Sequence, residues 1–301
     1  IMTKRILIDA RQTEETRVVL LSGTRIDDFD YETENRKQLK GNVYLARVTR
    51  VEPSLQAAFV EYGGNRQGFL AFSEIHPDYY RIPIEDREAL IEAEGASPDD
   101  EADDAPDDGT PETVGGESAE DEHIRPKRQI KKYKIQEVIS RKQIMLVQVV
   151  KEERGSKGAA LTTYLSLAGR YCVLMPNNSR GGGVSRKITN PADRKRLKTV
   201  VGGLDIAKGM AVIVRTAGAK RTKTEIARDY AYLSKLWDEI RNRTLESQAP
   251  CLIHEEGDLI KRSIRDMYTS EVDEVLVEGE DAYKTARNQM KMLIPSHVKN
   301  V

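Results

Sequence analysis

The sequence predicts an α+β chain of several domains, with a small β-barrel set inside an α/β unit that the two chain ends share. Three observations carry that prediction. Between residues 40 and 75 the apolar Val43, Leu45, Val48 and Val51 alternate with Arg47, Thr49 and Arg50, a strand period. The pattern breaks off into an acidic stretch and resumes after it. Finally, a β-rich hairpin opens the chain and a strand–helix–strand–helix alternation closes it, the arrangement of one α/β unit formed by both ends.

Taken in order, Arg5, Ile6, Leu7 and Ile8 and then Val18, Val19, Leu20 and Leu21 form two runs closed by Ser22-Gly23-Thr24, a hairpin. Asp27, Asp28, Asp30 and Glu32 follow as a solvated edge, without metal-ligand spacing. Breaks at Glu52-Pro53-Ser54 and Gly63-Gly64-Asn65 divide residues 40–75 into three antiparallel strands. Short strands with basic and aromatic residues between them predict a barrel of the OB kind. Residues 92–125 are predicted to be a disordered insertion in that barrel, because their charge and prolines leave too little apolar area to offset ordering. Strand pattern resumes at Val138-Ile139 and at residues 144–150 and 160–167, completing five strands.

Asn190 before Pro191 predicts an N-cap and a basic helix over 191–201. A buried strand is expected over 210–216. Thr222 and Glu225 form a capping box for a helix reaching about residue 245, whose apolar stripe runs through Ile226, Tyr230, Leu233, Trp237 and Ile240. Trp237 is read as core and His254 as a satisfied surface residue. A helix over 258–268, a strand over 274–277 and a helix over 281–293 complete the chain.

Composition narrows the function. The 301 residues carry a net charge of −1, yet 14 acidic residues and no Lys or Arg fall within 92–122, leaving 48 basic against 35 acidic residues elsewhere. Such an excess points to a polyanion partner. Cys172 and Cys251 are far apart, which argues against a disulfide framework or metal knuckle and for a reducing, cytoplasmic setting. No run approaches the roughly 20 apolar residues needed to cross a bilayer. The motifs G-x-S-x-G, H-E-x-x-H, G-x-x-x-x-G-K-[ST] and G-x-G-x-x-G are absent. Arg180-Gly181-Gly182-Gly183, followed by Arg186-Lys187, and Arg215-Thr216 at a strand end supply what a terminal phosphate needs, a guanidinium fork beside a hydroxyl.

Several long stretches also carry a family resemblance. Residues 48–60 with Gly68-Phe69-Leu70 resemble the RNA-binding barrel of the ribosomal-protein S-one type. Residues 151–163, Ser166-Leu167-Ala168-Gly169, residues 173–178 and Val214-Arg215-Thr216-Ala217-Gly218 resemble the ribonuclease E/G family. The resemblance covers nearly the whole chain outside the acidic insertion. It implies a ribonuclease-H-like subdomain over 1–37 and 256–301, the barrel over 38–168 and a 5′-phosphate sensor over 169–255. It implies RNA contacts at Phe59, Tyr62, Arg66, Phe69 and Lys157, and a 5′-phosphate pocket of Gly169, Val173, Arg186, Arg215 and Thr216. The substrate implied is single-stranded, A/U-rich RNA with a 5′-monophosphate.

For the parent enzyme the resemblance also implies Mg and Zn, a homotetramer and a place in the RNA degradosome. The family's two metal-holding aspartates and its C-P-x-C zinc link have no match here. The expectation is therefore an N-terminal portion of the enzyme that binds RNA without cutting it, with Ile1 a cloning remnant. Two other readings stand beside it: a non-catalytic RNA-binding or ribosome-associated protein on the same barrel, and an assembly scaffold.

Overall fold

The computed structural model describes residues 3–12, 14–34, 38–95, 133–153, 157–178, 182–269 and 271–301. Most of the acidic insertion, the basic run before residue 133, and Arg180 and Gly181 lie outside the described residues.

The chain opens with β1 (Lys4–Gln12), β2 (Glu15–Ser22) and β3 (Arg25–Thr33), an antiparallel meander. Gly23 makes the second turn at φ +63, a conformation glycine adopts without a Cβ penalty. The acidic cluster is thus itself a strand, with Asp28 and Asp30 on the open edge of the sheet.

The middle strands close into a barrel. β4 (Val43–Glu52), β5 (Ala57–Gly63) and β6 (Arg66–Ala71) pair antiparallel. After α1 (Ile84–Gly95) and the one-turn α2 (Ile135–Val138) come β7 (Ile144–Lys151) and β8 (Ala159–Thr162). β6 pairs parallel with β8, β8 antiparallel with β7, and β7 returns antiparallel to β4 with Val43 opposite Gln148 and Arg47 opposite Ile144. This closed five-stranded barrel matches an OB-like fold. Its inside is filled from alternate positions, Tyr44, Ala46 and Val48 on β4, Ala58, Val60 and Tyr62 on β5, and Met145, Val147 and Val149 on β7. Two expectations need correction. Val138 ends a helical turn instead of opening a strand, because Ile135 and Val138 sit at helical spacing and both plug the barrel end. Residues 92–95, assigned to the insertion, finish α1.

A second sheet follows. β9 (Leu167–Ala168), β10 (Cys172–Met175), β11 (Gly183–Val184), α3 (Pro191–Gly202), β12 (Ala211–Val214) and α4 (Lys223–Glu246) pack with the sheet in the order β11-β12-β10-β9. The Asn190 side chain accepts from Ala192 N–H and Asp193 N–H, and the Thr222–Glu225 capping box forms. Trp237 packs half-buried against this core. β13 (Cys251–His254) leaves that layer and pairs with barrel strand β4. His254 is half-buried there, and burial pushes its imidazole pKa down.

The chain closes with α5 (Leu259–Asp266), β14 (Glu274–Glu278) and α6 (Glu280–Leu293). β14 pairs parallel with β1, Arg5 opposite Glu274, so both chain ends lie in one sheet. Ile6, Ile8, Val18, Ile264, Val275 and Met290 form its core.

The β6–β8 contact depends on a residue without a side chain. A Cβ at Gly158 would stand 2.2 Å from the carbonyl oxygen of Gln67. Gly158→Ala should therefore lower stability by about 1–3 kcal/mol, the usual cost of overpacking. Gly202→Ala, where a Cβ meets nothing within 4 Å, serves as the control. Thermal unfolding of both variants checks this, and equal melting would show that β8 shifts without cost.

Candidate nucleic-acid interface

Two groups of side chains come together, one on the barrel and one at the edge of the second sheet. On the barrel, burial of Ala58 and Val60 on β5 and of Gly68 and Leu70 on β6 turns Phe59 and Phe69 to the outer face. They are register partners, their rings 5.9 Å apart and edge to face at 76°. Thr49 Oγ1 is bonded to the Phe59 carbonyl oxygen at 3.0 Å and to Gln67 Oε1 at 3.1 Å, tying three strands at this point. Lys157 is exposed just before β8, and the next residue, Gly158, abuts Gln67 on β6.

Tyr62 does not share that face. It points into the barrel with no exposed surface, packs edge to face on Tyr44 at 5.0 Å, and donates its hydroxyl to Glu153 Oε1 at 2.7 Å. Burial first, then the Glu153 carboxylate, pushes its pKa up. The strand period already carries this outcome, since an outward Phe59 places Tyr62, three residues on, inward. Arg66 is half-buried with its guanidinium 5.8 Å from the Tyr62 ring centre, so it caps the barrel wall above Tyr62.

At the second sheet the five expected pocket residues lie on β10, in the β9–β10 turn and just past the ends of β11 and β12. Gly169 N–H donates to the Cys172 carbonyl at 2.8 Å, making a tight turn between β9 and β10. The Asp229 carboxylate from α4 sits under that turn, accepting from Arg170 N–H at 3.1 Å and from Tyr171 and Cys172 N–H at 2.8 Å each. A Cβ on Gly169 would lie 2.5 Å from Asp229 Oδ2, so the turn requires glycine. Burial pushes the Asp229 carboxyl pKa up, while the three N–H bonds and Arg215 pull it down. Val173 pairs in β10 with Ile213 on β12, two residues before Arg215.

Arg215 donates through Nη1 to the Gly169 carbonyl at 2.5 Å and pairs through Nη2 with Asp266 Oδ1 at 2.8 Å. Its guanidinium is thus engaged from two sides. Thr216 is exposed and opens the turn Thr216–Gly218. β11 runs parallel to β12 with Val184 opposite Val214, and Arg186 and Thr216 each follow two residues further on.

Sequence reasoning missed the residues that hold these groups in place. Arg194 on α3 donates to the carbonyls of Ser185 and Ile188, either side of Arg186. Arg196, one turn away from solvent-facing Thr199, donates to the carbonyls of Arg221 and Ala219, just after the Thr216 turn. Arg170 is 5% exposed and donates to the carbonyls of Ile264 and Tyr268 at 3.0 and 2.7 Å, capping the C-terminus of α5 where a cation is favoured. Asp229 had a visible signal, a carboxylate three residues after Ile226 on an otherwise apolar stripe. The others had none.

The chemistry available is recognition. Burial, followed by the Asp229 carboxylate, pushes the Cys172 thiol up to about 12, which keeps it protonated and a poor nucleophile. Among the described residues no three His, Cys, Asp or Glu side chains group as metal ligands. Among the described residues no helix is long and apolar enough to cross a membrane.

An amide cannot replace the carboxylate at residue 229, since its amino group would face one of the three N–H donors. Asp229→Asn should cost about 1–3 kcal/mol, the penalty of a buried donor left unmet. It should also speed amide exchange at Tyr171 and Cys172. Thermal unfolding and hydrogen exchange measure both, and unchanged protection would assign the turn to another support.

Residues 166–301 match the Ribonuclease E/G family. Ribonuclease E of Haemophilus influenzae is 39% identical over 298 residues, 99% of this chain and 27% of that protein. Ribonuclease E of Escherichia coli is 38% identical over 290 residues, 96% of this chain and 23% of that protein. Ribonuclease G of Escherichia coli is 31% identical over 294 residues, 98% of this chain and 51% of that protein. The chain therefore spans about a quarter of the ribonuclease E sequences and about half of ribonuclease G. With long motifs matched in order and this likeness from end to end, the chain belongs to the Ribonuclease E/G family.

Proposed function

We propose that this chain is the RNA-capturing and 5′-monophosphate-sensing portion of an endoribonuclease that cuts single-stranded, A/U-rich RNA in RNA processing and mRNA decay. The observation that supports the reading is the Arg215 guanidinium just past the end of β12, bonded to the Gly169 carbonyl with the exposed Thr216 next in sequence. In this reading residues 38–168 capture the strand, residues 169–255 read its 5′ end, and residues 1–37 and 256–301 form a ribonuclease-H-like support. The shared sheet of β1 and β14 supports that last assignment. The whole protein would be a cytoplasmic homotetramer in an RNA degradosome, using Mg for hydrolysis and Zn for assembly.

The residues act by binding and orienting. Phe59 and Phe69 offer ring faces and edges to bases, and stacking accepts any base. Lys157 adds charge for the backbone. At the 5′ end a phosphate meets the Arg215 guanidinium, the Thr216 hydroxyl and the exposed Arg186. To take a bidentate grip, Arg215 must loosen its pair with Asp266. A 5′-hydroxyl end offers nothing in return for that loss.

A second reading, a non-catalytic RNA-binding protein that uses the barrel alone, draws support from that same pair, because Arg215 already has a carboxylate partner. One experiment separates the two. An oligonucleotide with a 5′-monophosphate should bind this chain more tightly than its 5′-hydroxyl twin by about 1.5–3 kcal/mol, the worth of a charge-assisted hydrogen bond. Arg215→Ala should erase the difference. Equal affinity for both ends in the unmutated chain would favour the second reading.

For the barrel, Phe59→Ala and Phe69→Ala should each weaken single-stranded RNA binding by about 1–3 kcal/mol, with the circular dichroism spectrum unchanged. Undiminished binding by both variants would remove this face from the interface.

A further inference from the structure

The outer face of the barrel continues past the two phenylalanines. Arg50 on β4 is the register partner of Phe59, and its Cζ lies 4.6 Å from the centre of the Phe59 ring. The guanidinium thus covers part of a surface that a base would use. Its own side chain is 65% exposed, and its carboxylate neighbour Glu52 stands 4.0 Å away, too far for a hydrogen bond. Beyond Arg50 opens a groove of about 480 Å³, lined by Arg50, Arg141, Thr49, Pro53, Gln136 and Ile139. Among the described residues, two cations and no carboxylate line it.

We propose that Arg50 is a third stacking platform beside Phe69 and Phe59. In this arrangement the groove takes the next nucleotide of a single-stranded RNA, its base on the outer face of the Arg50 guanidinium and its phosphate paired with Arg141. The proposal rests on Phe59 and Phe69 being the RNA face. A guanidinium is planar and delocalised, so it can stack on an aromatic ring with one face and on a base with the other, which an ammonium cannot do. The side chain that covers Phe59 then lengthens the platform. Arg141 faces the same groove from the turn before β7, where charge would meet the backbone of the stacked nucleotide.

Fluorescence anisotropy with a labelled A/U-rich RNA of about twelve nucleotides bearing a 5′-hydroxyl tests this on the full chain, leaving the 5′ pocket out of play. Arg50→Lys, which keeps the charge and loses the plane, should weaken binding about three- to ten-fold. Arg141→Ala should weaken it to a similar extent and reduce the slope of log affinity against log salt by about one. Phe59→Ala runs alongside. If Phe59→Ala weakens binding while Arg50→Lys or Arg141→Ala binds like the parent, this site is overturned and the RNA face stands. Tighter binding by Arg50→Ala would show that Arg50 only shields Phe59 and would equally overturn the site. If Phe59→Ala also binds like the parent, the RNA face itself falls, and this site with it.

Discussion

A single buried carboxylate, Asp229, is the constraint on which the second sheet and its edge depend. Three consecutive N–H groups point inward at residues 170–172 and need an acceptor where water is excluded. Asp229 supplies both oxygens from a helix that is itself fixed by its capping box. With the turn held, the Gly169 carbonyl faces Arg215 and the Arg170 side chain reaches the end of α5. The chain Glu256–Arg265–Asp266–Arg215 then runs as alternating charges from one core to the next. Such networks are worth more than the same pairs isolated on a surface, because partial burial leaves each charge less screened by water.

In the proposed function the two halves of the interface solve different problems. On the barrel, strand period alone exposes Phe59 and Phe69, and any RNA base suits them. At the sheet edge, three segments far apart in sequence must be brought within reach of one small group. Arg194 and Arg196 do part of this from α3, each holding a loop by its carbonyls. Specific recognition of an end thus needs more supporting residues than general capture of a strand does.

Much of the fold was legible because local rules agreed with it. The proline after Asn190, the Thr222–Glu225 box and the breaks at Pro53 and Gly63 each mark a boundary that tertiary packing leaves alone. Legibility failed where the partner was remote. α2 and the end of α1 were lost among charged neighbours, since Ile135 and Val138 show their purpose only against the barrel core. β13 gave no local hint that it would pair with β4. In the site, the expected pocket residues rest on the resemblance, whereas Asp266 and Arg170 act across separations of 51 residues or more and leave no spacing to read. Tyr62 was placed outward although its position on β5 held the answer.

The pairing of β1 with β14 also has a kinetic side. Arg5 and its partner Glu274 are separated by almost the entire chain. At synthesis rates of roughly 5–20 residues per second, the β1–β2–β3 meander waits about 12–50 s for its fourth strand. Through that interval one side of β1 presents unpaired N–H and C=O groups, a template for any other extended chain nearby. Lys4, Arg5, Asp9 and Arg11 place charge along this strand, with Arg11 and Asp9 bonded to each other on its surface. The nascent hairpin thus carries its own guard against joining the wrong neighbour on the polysome.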